Sequence, residues 1–261
     1  MASFQIRYYS NCLRRCVSFL AYLPNDPRGD VPPMEEKYAD RGMKTLFLLH
    51  GYTGDAWNWV SEELAMKYNF AIIVPSGENA FWIDGLATGH QFGTFLGVEL
   101  VDYVRKTFGL AMRKEDTFIM GFSMGGFGAL RTALKYPETF GKAAAWSSAL
   151  IVHEVAKMTP GYDNGVANYD YYRECFGEPS KVLESENNPE TLVKQLKAEG
   201  KELPEIIMAC GTEDFLIGPN RAMHQFLTEQ GVAHIYWEDA GIHDMVFWGK
   251  CVEKFVPVMF G

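Results

Sequence analysis

Apolar residues along this chain gather into short unbroken runs at 44–49, 71–74, 117–120, 143–146, 205–210 and 234–237. Runs of this length without alternation suit strands buried on both faces, hence a mostly parallel sheet. Between them, 58–67, 97–108, 124–136, 219–230 and 244–256 read as helices. Strand–helix alternation predicts a doubly wound α/β sheet, with ligands at the carboxyl ends of the strands. Ahead of it, 3–10 and 15–23 read as two strands, and the alternation of Phe4, Ile6 and Tyr8 suits an antiparallel hairpin at a sheet edge. Residues 25–41, charged and rich in Pro and Gly, read as a loop. The stretch from about 149 to 203 breaks the alternation, with Pro160-Gly161, aromatic residues from Tyr169 to Tyr172, Pro179 and Pro189. It reads as a small lid-like insertion over the site of a single domain spanning 1–261, or as an elaborated crossover.

Composition narrows this picture only a little. At 261 residues, 48% hydrophobic and 14% aromatic, the chain can bury a sizeable core. A net charge of −9 argues against nucleic-acid or anionic-membrane partners. No stretch has the apolar length of a membrane span, and the first residues show no signal-peptide pattern. Cys12, Cys16, Cys175, Cys210 and Cys251 are scattered and odd in number, so a reducing cytoplasm is expected. Association into a homo-oligomer is left open.

The candidate chemistry centres on 117–130, where an apolar run meets Gly121-Phe122-Ser123-Met124-Gly125 and a helical run follows. Gly-x-Ser-x-Gly between strand and helix is the setting of a nucleophile elbow. A serine at so tight a bend is strained, and its neighbours must lack a Cβ. A nucleophilic hydroxyl needs a base, and the base needs an acid to fix its tautomer, in the chain order Ser, Asp/Glu, His. His50 and His90 precede Ser123; His153, His224 and His234 fall in the insertion, a helix and a strand. His243, in Ala240-Gly241-Ile242-His243-Asp244 after the last strand, is the expected base. Asp214 is the expected acid, with its neighbour Glu213 read as a solvated carboxylate, Asp239 as a weaker spare and Asp244 as a helix cap. The oxyanion needs two N–H donors: Met124, after the nucleophile, and Tyr52 in His50-Gly51-Tyr52-Thr53-Gly54.

Those segments resemble the esterase D-type α/β-hydrolases, closest to the small bacterial tributyrin, acetyl and feruloyl esterases. Tyr8-Tyr9-Ser10, Trp57, Trp82-Ile83-Asp84 and Gly211-Thr212-Glu213-Asp214-Phe215 extend the likeness over nearly the whole chain. The resemblance implies an α/β-hydrolase fold and a cofactor-free, metal-free serine carboxylesterase acting on short acyl or aryl esters, a small-molecule substrate class. It puts Ser123, Asp214 and His243 on the triad positions and Tyr52 and Met124 on the oxyanion positions. An S-formylglutathione hydrolase-like thioesterase or an acyltransferase is the alternative on the same framework, and a non-catalytic binding module is disfavoured by the intact set of residue types. Tyr52, Trp57, Trp82, Phe92, Phe122, Phe215 and Trp248 crowd the predicted loops. Trp57, Phe122, Phe127 and Trp248 read as core, whereas Trp82, Asp84 and Phe215 are expected near the substrate.

Overall fold

The computed structural model describes residues 1–26, 29 and 34–261. Among them, eight strands form one sheet: β1 (Ala2–Ser10), β2 (Arg15–Leu23), β3 (Lys44–Leu49), β4 (Phe70–Pro75), β5 (Thr117–Phe122), β6 (Lys142–Trp146), β7 (Glu205–Gly211) and β8 (His234–Asp239). Their order is β1-β2-β4-β3-β5-β6-β7-β8. The β1–β2 hairpin joins β4 antiparallel, and every pairing from β4 to β8 is parallel. This is the α/β-hydrolase fold, with its antiparallel edge at the N-terminus. The expected loop at 25–41 lies partly outside the described residues, and its far end forms the single turn α1 (Glu36–Ala39).

The helices follow as α2 (Glu62–Lys67), α3 (Phe92–Thr94), α4 (Leu100–Phe108), α5 (Met124–Lys135), α6 (Val152–Val155), α7 (Tyr169–Phe176), α8 (Pro189–Ala198), α9 (Ile217–Glu229) and α10 (Met245–Phe260). Unbroken apolar strands are explained by the two layers they separate. In β3, Phe47 and Leu49 join the cluster that includes Leu100, Leu130 and Leu227, while Leu46 and Leu48 join the one built on α10. Successive side chains of a strand point to opposite faces, so a strand covered on both sides must be apolar at every position. The carboxyl ends of β3, β5 and β7 thereby lead into the loops at 50–54, 123 and 212–216, on one edge of the sheet.

Candidate active site

Ser123 follows β5 directly and has φ 56° and ψ −122°, a left-handed conformation that a side-chain-bearing residue adopts only under strain. The surroundings hold it there. Its N–H donates to the Trp146 carbonyl at 2.8 Å, and its own carbonyl accepts from Ala149 N–H at 2.9 Å. Two glycines make the bend possible. A Cβ on Gly121 would lie 2.2 Å from the Gly125 carbonyl oxygen, and one on Gly125 would lie 2.6 Å from the carbonyl oxygens of His50 and Leu49.

His243 reaches Ser123 from the loop after β8, with Nε2 2.9 Å from the hydroxyl. Its Nδ1 lies 2.8 and 3.0 Å from the two carboxylate oxygens of Asp214. A carboxylate can only accept, so Nδ1 carries the proton and Nε2 is left to accept from the serine O–H. Asp214 is 2% exposed. Burial pushes its carboxyl up, but hydrogen bonds from His243, Leu216 N–H and Ser147 outweigh that and hold it below the ordinary carboxylate value. Ser147 also accepts from the Trp248 indole at 3.0 Å, and the rings of Trp248 and His243 meet nearly perpendicular, centroids 5.0 Å apart. The imidazole is thus oriented on two sides. Glu213 is exposed and accepts from Gly241 N–H at 2.7 Å, bracing the loop that carries His243 without touching the ring.

The turn after β3 is held as firmly. His50 is buried; its Nδ1 donates to the Gly51 carbonyl at 2.8 Å, and its Nε2 accepts from Gly77 N–H at 2.9 Å. Burial keeps the imidazole below its ordinary pKa, hence neutral, as an acceptor Nε2 requires. Thr53, at φ 62°, donates its N–H to Asn79 Oδ1 at 2.8 Å. Among the described residues, Tyr52 N–H takes no part in the backbone hydrogen bonds of this turn. Met124 opens α5, where the first N–H groups have no intrahelical acceptor. Above Ser123 lies a cavity of about 500 Å³ whose walls include Tyr52, Phe81, Met124, Ile151, Tyr171, Tyr172, Leu216 and His243. Val166 and Phe215 stand at its rim with 63% and 74% exposure, and Glu154 and Asn164 add polar groups.

A family model described as "Putative esterase" matches residues 10–250. The chain belongs to this esterase family. An acetyl esterase of Caldicellulosiruptor saccharolyticus is 41% identical over 256 residues, covering 97% of this chain and 96% of that one. Among solved structures, the Staphylococcus aureus fluorophosphonate-binding serine hydrolase FphF matches with a TM-score of 0.83 and 25% identity, over 100% of this chain and 98% of that one. The S-formylglutathione hydrolase FrmB of the same organism matches with a TM-score of 0.80, also at 25% identity, over 100% and 99%. The chain is a carboxylic ester hydrolase.

Of the residues expected near the substrate of this esterase, Phe215 lies at the cavity, its ring 4.5 Å from that of His243. Trp82 does not: it is fully buried, and its indole donates to the His50 carbonyl at 3.3 Å. A large apolar ring gains more from burial under the turn after β3 than from a place on a wet loop. Asp84 is likewise off the cavity, because its carboxylate accepts from both the N–H and the hydroxyl of Thr94, at 2.8 and 2.6 Å. That caps the start of the helical run instead. Trp57, expected in the core, is 42% exposed, while Phe122, Phe127 and Trp248 are buried as expected. Reading the histidines by chain order passed over the role of His50, and nothing singled out Asn79, Tyr171 or Ser147. Tyr171 alone carried a signal, the aromatic cluster at 169–172.

Proposed function

We propose that this esterase hydrolyses short-chain acyl or aryl esters through an acyl-enzyme on Ser123. The single observation that carries the reading is the unbroken line of hydrogen bonds from Asp214 through His243 to Ser123. Ser123 Oγ attacks the acyl carbon as its proton passes to His243 Nε2. The oxyanion is stabilised by the N–H groups of Tyr52 and Met124. Collapse breaks the ester bond, and the departing alkoxide takes the proton from His243. Water then attacks the acyl-enzyme, again giving a proton to His243, and the acid leaves as Ser123 recovers its hydrogen. Asp214 keeps the imidazole in the Nδ1–H tautomer and stabilises the imidazolium that forms in each half. No cofactor enters these steps.

The likeness to an acetyl esterase over nearly the full chain supports small acyl groups, and a cavity of about 500 Å³ suits them. We read 149–203 as a lid-like insertion of a single domain, since Ile151, Val166 and Tyr171 contribute to the cavity. Five free thiols favour a reducing cytoplasm. A second reading, thioester hydrolysis, is supported by the likeness to an S-formylglutathione hydrolase. Initial rates on p-nitrophenyl acetate, butyrate and octanoate, methyl ferulate and S-formylglutathione separate the two. The ester reading expects kcat/KM to be highest for acetate or butyrate; a value for S-formylglutathione about tenfold above every ester would transfer the assignment to the thioesterase.

A further inference from the structure

The cavity is not equally firm all round. On the rim beside His243 stands Phe215, largely exposed, its ring 4.5 Å from the imidazole. On the side of the oxyanion turn, the ring of Tyr171 packs nearly perpendicular to that of Tyr52, centroids 5.9 Å apart, and 6.4 Å from Phe81. Phe81 cannot recede, because Phe176 and Phe127 back it at 4.8 and 5.8 Å. The Tyr171 hydroxyl donates to the Asn79 carbonyl, and burial pushes its pKa up, so it stays a donor. Asn79 in turn accepts from Thr53 N–H through its side chain, so one residue ties α7 to the turn that holds Tyr52.

The chemistry orients the substrate against this asymmetry. The alcohol oxygen must stay within reach of His243 Nε2 to be protonated as it leaves. The acyl chain is then directed away from His243, toward the Tyr52–Phe81–Tyr171 wall. From this we infer that Tyr171 sets the acyl-length limit of the esterase: its ring closes the acyl side of the cavity, and its hydroxyl bond to Asn79 keeps the ring from yielding to a longer chain. The inference rests on the proposed roles of Ser123 and His243.

The test is the ratio of kcat/KM for p-nitrophenyl octanoate to that for p-nitrophenyl acetate, in wild-type, Tyr171→Phe, Tyr171→Ala and Ser123→Ala proteins. Each methylene newly accommodated in an apolar pocket is worth about tenfold or more. Tyr171→Ala is expected to raise the ratio at least about tenfold, while Tyr171→Phe, keeping the ring, raises it by about threefold or less. Tyr171→Leu, which preserves apolar bulk on α7, serves if the alanine variant fails to fold, and should move the ratio in the same direction. An unchanged ratio in a folded alanine or leucine variant overturns the role of Tyr171 and leaves the esterase mechanism standing. Equal hydrolysis by wild-type and Ser123→Ala proteins overturns the mechanism itself, and this inference with it.

Discussion

Glu213 and Asp214 are adjacent carboxylates in one loop, and geometry gives them different work. Asp214 is buried and meets both the ring of His243 and Leu216 N–H; Glu213 lies in solvent and braces Gly241. Asn at 214 presents an N–H where the imidazole needs an acceptor, so the tautomer reverses while the shape is kept. Asp214→Asn should therefore fold normally and lose about 10³- to 10⁴-fold in kcat. Gln at 213 can still accept from Gly241 N–H, and Glu213→Gln should stay within about threefold of wild type. Steady-state kinetics of the two variants check this, and the opposite order would reassign the acid. The residue types of this site were legible because the α/β-hydrolase framework sets their order along the chain. The partners of His50 were not, since Gly51 and Gly77 offer it only backbone groups, which no sequence marks. Trp82 misled for the same reason: a loop sequence does not reveal that the loop folds under the turn beside it.

At the scale of elements, the apolar runs located β3 to β8 and the two strands expected ahead of them form the hairpin, whereas α6, α7 and α8 went unread and two other helices start elsewhere than expected. Expected from residue 58, α2 begins at Glu62, because Ser61 accepts from Glu63 N–H as its cap and Asn58 spends its side chain on Val60 N–H. Gly97 suggested a helix start, yet the helical run begins five residues earlier and passes through it as a π-turn, Phe95–Glu99. A Cβ at Gly97 would lie 2.1 Å from the Tyr136 ring, so the glycine serves a close approach and not a terminus. Asp244 was read correctly as a cap: its carboxylate accepts from Phe247 N–H at 3.0 Å and opens α10. Asp244→Ala should cost about 1 kcal/mol and lower Tm by about 2–4 °C with activity largely kept. Differential scanning calorimetry beside an esterase assay checks this; unchanged Tm would mean that α10 is held by its apolar face alone.

Across the whole molecule, the sheet brings together groups that are far apart in sequence. His243 and Ser123 are separated by 120 positions yet lie 2.9 Å apart, because β5 and β8 end at the same edge and the loop after β8 turns back over β6 and β7. Strand–helix alternation made that edge legible as the place for a site. The stretch 149–203 was legible only as an interruption, because its helices are placed by packing on elements distant in sequence, such as α8 on α5. α8 within it lies against α5, with Arg131 Nε donating to the Glu186 carbonyl just before it, so part of the stretch supports the sheet layer as well. Reactivity at Ser123 is the property on which all of this converges. A fluorophosphonate, which carries its own leaving group and mimics the tetrahedral state, reports it directly by intact-protein and peptide mass spectrometry. One adduct per chain is expected, on Ser123, formed by wild-type protein and by neither Ser123→Ala nor, at a comparable rate, Asp214→Asn. An adduct elsewhere in wild-type protein, or labelling that survives Ser123→Ala, would contradict the mechanism.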